Sequence, residues 1–272
     1  ALPSIAAACS APLPRVELSL PPDAEVPANT PALPLAFWAD VTIDAVTLTG
    51  PEGEVAIEVR DGLVVLEETL ALGEHTLSIT SGTEGAVETV DFTFTATAEA
   101  PLPSALGTLT AGAPETMDVE IADGGGSCGL PWSANAVDLS VTLAAEAEPW
   151  ADLLRWSTSV DAAAWTHRPS VLPGDFDGGS WVGRGVDRVF TVCDAAAPDG
   201  YGVTEGGHTT SMEATLPGTE IALATDSVMF SVACATEDVD AGPGADVDGG
   251  PVPTVDAGVD PTEPDDDDDG CA

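Results

Sequence analysis

Lysine is absent from this chain. Its six basic residues are all arginines, set against 47 acids, giving a formal net charge of −41 over 272 residues. Binding DNA or RNA needs clustered cations to neutralise phosphates, so nucleic acid is excluded as a partner. An anionic lipid surface is disfavoured on the same ground. Apolar runs stop far short of the roughly 18 residues that cross a bilayer as a helix. The five cysteines include no Cys-x-x-Cys pair, which removes the usual zinc signature. Hydrophobic residues nevertheless make up 44%, enough to bury a core and to exclude wholesale disorder.

What is present is period-two alternation. Val55, Ile57 and Val59 interleave with Glu54, Ala56 and Glu58, and Val90, Phe92 and Phe94 with Asp91, Thr93 and Thr95. The pattern returns at Leu139, Val141 and Leu143 and closes at Val228, Phe230 and Val232. Such runs are strands with one buried face. Turn-forming stretches separate them: Gly50-Pro51-Glu52-Gly53, Asp61-Gly62 and Ser81-Gly82-Thr83-Glu84-Gly85. Only Glu148 to Arg155 reads as helical, for a turn or two, with Pro149 near its start. The expected fold is all-β: two Ig-like antiparallel β-sandwich domains followed by a disordered acidic tail.

Composition sets the boundaries. Residues 1–14 are a Pro- and Ala-rich arm, 15–100 a first sandwich and 101–235 a second, joined at the stiff Pro101-Leu102-Pro103. Residues 236–272 hold 13 acids, no basic or aromatic residue, five Pro and six Gly, a stretch that cannot bury enough area to offset its ordering. The two sandwiches share a motif. Gly73-Glu74-His75-Thr76 and Gly206-Gly207-His208-Thr209 each open an alternating strand ahead of a turn and a closing strand, the same penultimate strand in two domains of one class.

The uncharged, Ala-rich opening Ala1 to Cys9 reads as the start of a mature chain whose secretory signal has been removed. A lipobox at Cys9 would place Ala6 where a Leu-like residue is preferred. In an exported chain cysteines form disulfides. Strand parity puts Cys128, Cys193 and Cys234 at one pole of the second sandwich. Cys128 with Cys193 is the first-ranked pair, because their strands can share a sheet, and the remaining thiol is left for Cys9 on the arm. Cys271, alone in the acidic run, is read as a lipid-bearing or sorting cysteine.

Leu20-Pro21-Pro22-Asp23-Ala24-Glu25-Val26-Pro27-Ala28-Asn29-Thr30 resembles the opening of bacterial Ig-like domains found in tandem on surface proteins. The second segment resembles a module of myxobacterial and related secreted proteins, through Cys128, Pro131-Trp132, Gly183 to Asp187, Cys193, Gly206-Gly207-His208, Leu216 to Thr219 and Cys234. Asp265 to Asp269 followed by Gly270-Cys271 is similar to the start of a myxobacterial C-terminal sorting signal. Together these resemblances imply a secreted protein at the cell surface or outer membrane, anchored through its C-terminal end alone. They carry no enzymatic activity.

No spacing marks a catalytic set. His75 and His208 sit at the strand-opening position, which favours a backbone hydrogen bond. His167, in a Trp-flanked loop, is the least explained of the three. With 47 acids, spacing identifies no carboxylate pair. Asp238-Val239-Asp240, Asp246-Val247-Asp248 and Gly174 to Gly179 offer hard oxygens for calcium but lack the distal Glu of an EF-hand loop. Weak divalent screening is therefore expected rather than an ordered metal or any cofactor. Trp132, Trp165, Trp181 and His167 remain as ligand-contact candidates, a face for an extracellular protein or glycan. The reading is an exported, non-enzymatic surface protein for display, adhesion or envelope structure. Its alternative is a secreted carbohydrate-binding protein or hydrolase using the Trp-rich loops.

Overall fold

The computed structural model describes residues 15–21, 23–38, 41–83, 86–122, 129–167, 185–194, 197 and 200–234. The expectations for the arm, for Cys9, Cys128, Trp181 and Cys271, for the three calcium candidates and for the acidic tail fall outside these residues.

The first half contains β1 (Arg15–Leu18), β2 (Glu25–Pro27), β3 (Ala32–Trp38), β4 (Thr42–Gly50), β5 (Gly53–Val55), β6 (Ile57–Arg60), β7 (Leu63–Leu66), β8 (Gly73–Thr83) and β9 (Ala86–Thr97). They form two sheets, in the orders β1-β3-β7-β6 and β2-β9-β8-β4-β5. Every pairing is antiparallel except β2 with β9. Alternation places Leu33, Leu35 and Val64 of one sheet, and Leu48, Leu77, Ile79 and Phe94 of the other, in the shared core. Fully burying a side chain of this size contributes about 1.5–3 kcal/mol.

The run Val55-Ile57-Val59 is one strand by periodicity but two in the fold. The chain bends at Ala56, so β5 stays with β4 while β6 crosses to pair with β7. Such a corner lets one segment serve both layers of a sandwich. Asp61 and Gly62, at φ +52° and +73°, then close a two-residue β6–β7 hairpin with the left-handed pair that matches strand twist.

The second half contains β10 (Gly107–Ala111), β11 (Glu115–Ala122), β12 (Gly129–Leu143), a 3₁₀ turn (Glu148–Trp150), β13 (Arg155–Val160), β14 (Ala163–Ala164), β15 (Val186–Val192), β16 (Gly206–Thr215), β17 (Ala222–Ala224) and β18 (Val228–Val232). In one sheet β12 is flanked by β15 on one side and by β10 and β11 on the other. In the other sheet β16 separates β13 and its hairpin partner β14 from β17 and β18. Two edges are interrupted strands. Gly112-Ala113-Pro114 splits β10 from β11, with Pro114 lacking an N–H for the ladder. Thr225, Asp226 and Ser227 split β17 from β18. There the buried Thr225 exchanges bonds with Met212, accepting its N–H at 3.1 Å and donating its own to the Met212 carbonyl at 2.9 Å. The core holds Leu139, Trp150, Leu153, Leu154, Trp156, Phe190 and Met212.

Among the described residues no strand of one half pairs with a strand of the other, yet the chain clusters as one compact unit through residue 235. A bond crosses between the halves, the Glu25 N–H donating to the Asp152 carboxylate at 3.4 Å, and the joint is anchored on each side within its own half. The Asn29 amide donates to the Ala100 carbonyl at 2.8 Å and accepts the Ala100 N–H at 3.0 Å. The indole N–H of Trp150 donates to the Pro101 carbonyl at 2.9 Å. Ser104 gives its N–H and hydroxyl to Glu146 at 3.1 and 2.7 Å. Gly218, with φ +77°, also lies so close to the first sandwich that a Cβ there would meet Ala32 Cβ at 2.7 Å.

Candidate functional site

The repeated Gly-x-His-Thr motif places one histidine at the same register in each sandwich. His75 faces Phe94 across β8–β9, and His208 faces Phe230 across β16–β18, each with ring centroids 5.4 Å apart. Both rings are buried and both bond a backbone carbonyl, His75 through Nδ1 to Gly73 at 3.0 Å and His208 through Nε2 to Thr204 at 2.7 Å. Beyond that they diverge. His75 Nε2 is buried with no partner among the described residues, pressed over Gly50, where a Cβ would approach it to 2.5 Å. His208 Nδ1 instead meets the Asp161 carboxylate at 2.7 Å.

Asp161 is delivered by a hairpin. β13 and β14 are joined by Asp161 and Ala162, both left-handed at φ +50° and +65°. Alanine in that region costs about 1–2 kcal/mol. The Asp161 carboxylate offsets the strain by holding two groups of β16 at once, the His208 ring and the Thr209 N–H at 2.9 Å. Since both His208 nitrogens face acceptors, the ring is satisfied only as the imidazolium. Burial opposes that charge, but the bonds to Asp161 and Thr204 and the Coulombic pull of Asp161 outweigh it and raise the pKa above 6.5. The His208 hydrogen bond, followed by that from Thr209, lowers the pKa of Asp161.

A pH dependence follows. A group whose pKa is raised by folding stabilises the fold below its unfolded value, and that contribution is lost as pH rises through the folded value. The melting temperature is therefore expected to fall as pH rises from the ordinary histidine value of about 6.5 through the raised folded value. The Asp161→Asn variant should flatten that slope in a thermal melt series, and equal slopes would remove the charged pair from the fold's energetics.

Of the aromatic candidates, Trp165 and His167 follow β14, and Trp132 lies on β12 of the other sheet. Trp165 is only 5% exposed, against expectation for a ligand-contact residue. Its indole N–H donates to the Arg188 carbonyl at 2.9 Å, and its ring meets Phe190 edge-on at 5.4 Å. It is a core side chain because β14 continues into it, the Trp165 N–H reaching the Thr158 carbonyl at 2.8 Å and turning the ring inward. His167 is half-buried between Trp165 and Tyr201, and its Nδ1 accepts the Gly202 N–H at 3.1 Å. Trp132, on β12 opposite Val119, is half-buried and packs against the core. Of the three described candidates the structure thus brings Trp165 and His167 together edge to face and leaves Trp132 on a different sheet.

Cys193 and Cys234 are joined by a disulfide with Cα atoms 5.3 Å apart. Cys193 follows β15 and Cys234 follows β18, so the bond ties the ends of two strands in opposite sheets. The first-ranked pair, Cys128 with Cys193, is overturned by register. The Cys193 N–H bonds the Ser133 carbonyl at 2.8 Å, aligning Cys193 with a point five residues beyond position 128 on the β12 side. Sharing a sheet made that pairing attractive, but neighbouring strands in a sheet meet only at matched register, whereas the facing layer ends at the same pole.

Two open hollows accompany these features, one of about 530 Å³ lined by Asp23, Glu25, Thr97, Glu148 and Asp152, the other of about 440 Å³ beside Leu18, Leu20 and Phe92. Among the described residues no three His, Cys, Asp or Glu side chains are arranged to hold a metal. Sequence reasoning missed Asp161, Thr204 and Tyr201. The first had one usable signal, an Asp directly after an alternating run, where a hairpin must turn.

No protein-family model and no curated protein matches the chain. Among solved structures it is similar to the fibronectin(III)-like modules of Clostridium thermocellum CbhA, at 12% identity over 80% of this chain and 94% of that one, with a TM-score of 0.26. It is also similar to the BSP domain of a biofilm-associated protein, at 13% identity over 82% of this chain and 30% of that one, with a TM-score of 0.23. Both scores lie below 0.5, and the assignment of the fold rests on the strand order itself.

Proposed function

We propose that this is an exported protein that acts without catalysis at the cell surface, as a display, adhesion or envelope module. Any protein or glycan partner would meet it through the loops of the second sandwich. The observation that carries this reading is the Cys193–Cys234 bond, which belongs to an oxidising compartment. Supporting it, all three histidines are turned to structural use, two bonded within their own sheets and the third accepting a backbone N–H.

Protease shaving of intact source cells tests the reading. The chain should be trimmed from outside, and a non-reducing peptide map should recover the Cys193–Cys234 link. A chain protected inside intact cells, with both cysteines as thiols, would overturn it. Turnover of a glycoside by the purified chain would replace it with the secreted-hydrolase alternative.

A further inference from the structure

When a folded chain is pulled at its two ends, strand topology decides how the pull is resisted. We propose that residues 15–234 are a load-bearing element, with tension carried in shear by ladders aligned to the chain ends and passed through the Cys193–Cys234 bond in the second sandwich. An end-to-end pull is a load beyond the display reading, in which contact falls on the second sandwich.

In the first sandwich the near-terminal β2 lies beside the last strand, β9, and runs the same way, with Glu25, Val26 and Pro27 opposite Thr95, Ala96 and Thr97. The Thr95 N–H donates to the Ala24 carbonyl at 2.9 Å, the Ala28 N–H to Thr97 at 3.0 Å, and the Thr97 hydroxyl to Val26 at 3.2 Å. One step further, the two Asn29–Ala100 bonds extend the same seam. Pulling β2 toward its N-terminal end and β9 toward its C-terminal end drives parallel neighbours in opposite directions along one axis. All their bonds are strained together. An antiparallel hairpin pulled by its free ends would instead open one bond at a time.

The second sandwich has its terminal strands, β10 and β18, in different sheets, and no ladder joins them among the described residues. The disulfide supplies the missing route. Load arriving at Cys234 crosses to Cys193 and enters β15. From there it passes through seven residue pairs to β12 (Val192↔Ala134 to Val186↔Ser140) and five more to β10 (Ala111↔Leu139 to Gly107↔Leu143). β10 and β15 are both antiparallel to β12 and so parallel to each other, and this sheet too is loaded in shear. The strands between the cysteines, β16, β17 and β18, are bypassed covalently.

Constant-force spectroscopy on the full chain, with handles inserted before Arg15 and after Ala235, tests the proposal. Lifetime of the first sandwich at fixed load should shorten about fivefold in Thr97→Val, which loses one bond, and about thirtyfold in Asn29→Ala, which loses two. Val64→Ala, in the sheet outside the ladder, should cost as much equilibrium stability while changing that lifetime less than about threefold. In a Cys193→Ser/Cys234→Ser variant the second sandwich should yield about tenfold sooner and release roughly 14 nm more chain. Lifetimes that merely track equilibrium stability in all variants, or a double-serine variant as durable as the parent, would overturn the proposal. Because purified protein is used, that failure leaves the display reading standing, and mislocalisation in cells would leave the mechanics standing.

Discussion

Replacing Cys193 and Cys234 together by serine is expected to lower stability by about 4 kcal/mol, from the loop-closure entropy of the cross-link, and the melting temperature by about 10–15 °C. The bond spans 41 residues of sequence and joins residues just past the ends of β15 and β18, so without it the two sheets at that pole are held only by packing and weaker polar contacts. Those contacts are few. The Ala233 N–H donates to the Asn135 side chain of β12 at 3.0 Å, whereas the Cys234 N–H goes to Glu205, beside β16 of its own sheet, at 3.2 Å. Calorimetry of parent and variant under oxidising conditions measures the difference. A variant that melts within about 2 °C of the parent, a shift worth under about 1 kcal/mol, would show that the bond is ornamental.

The second large effect is expected at Gly218, where Gly218→Val should cost about 3 kcal/mol or more. A left-handed β-branched residue accounts for about 1–2 kcal/mol, and forcing a side chain into a closed contact adds about 1–3. Here the contact is Ala32 of the first sandwich, itself completely buried. The wedge therefore acts on the seam as much as on the turn that carries Gly218. The expected signature in calorimetry is a single transition in the parent that separates into two in the variant, with Gly218→Ala intermediate. Two unchanged, superimposed transitions would mean that the halves are coupled elsewhere.

Much of the architecture was legible because a sandwich writes itself as alternation plus turns. β9, β12 and β18 fall where Val90 to Phe94, Leu139 to Leu143 and Val228 to Val232 alternate, and Asp61-Gly62 turns as its chemistry requires. Periodicity failed at Ala56 because it is silent about which sheet a strand joins. It was equally silent about Asp161-Ala162, since alanine has no preference for the conformation it is made to adopt there. The shared histidine motif was visible, but its two roles were not. What separates His208 from His75 is a carboxylate 47 residues away in sequence, brought close by strand pairing alone. Strand parity brought the right cysteines to one pole but could not rank cross-layer against within-layer bonding. For the tryptophans, proximity to Pro and Gly suggested exposed loops, whereas Trp165 is held inward by the last step of a β-ladder.

The interruptions at Gly112–Pro114 and Thr225–Ser227 carry a consequence for copies crowded side by side. An uninterrupted strand at the rim of a layer offers a template on which an identical neighbour can stack, and stacking of that kind propagates into fibres. Here the second sandwich has two rims broken mid-length and a third, β14, of only two residues. Its fourth, β15, runs unbroken for seven residues and is bridged at Thr191 by Gly202. The first sandwich ends its longer layer in β2 and β5, of three residues each. Such broken and short rims, on molecules that also repel through their excess of carboxylates, let crowded copies of this chain remain separate individuals.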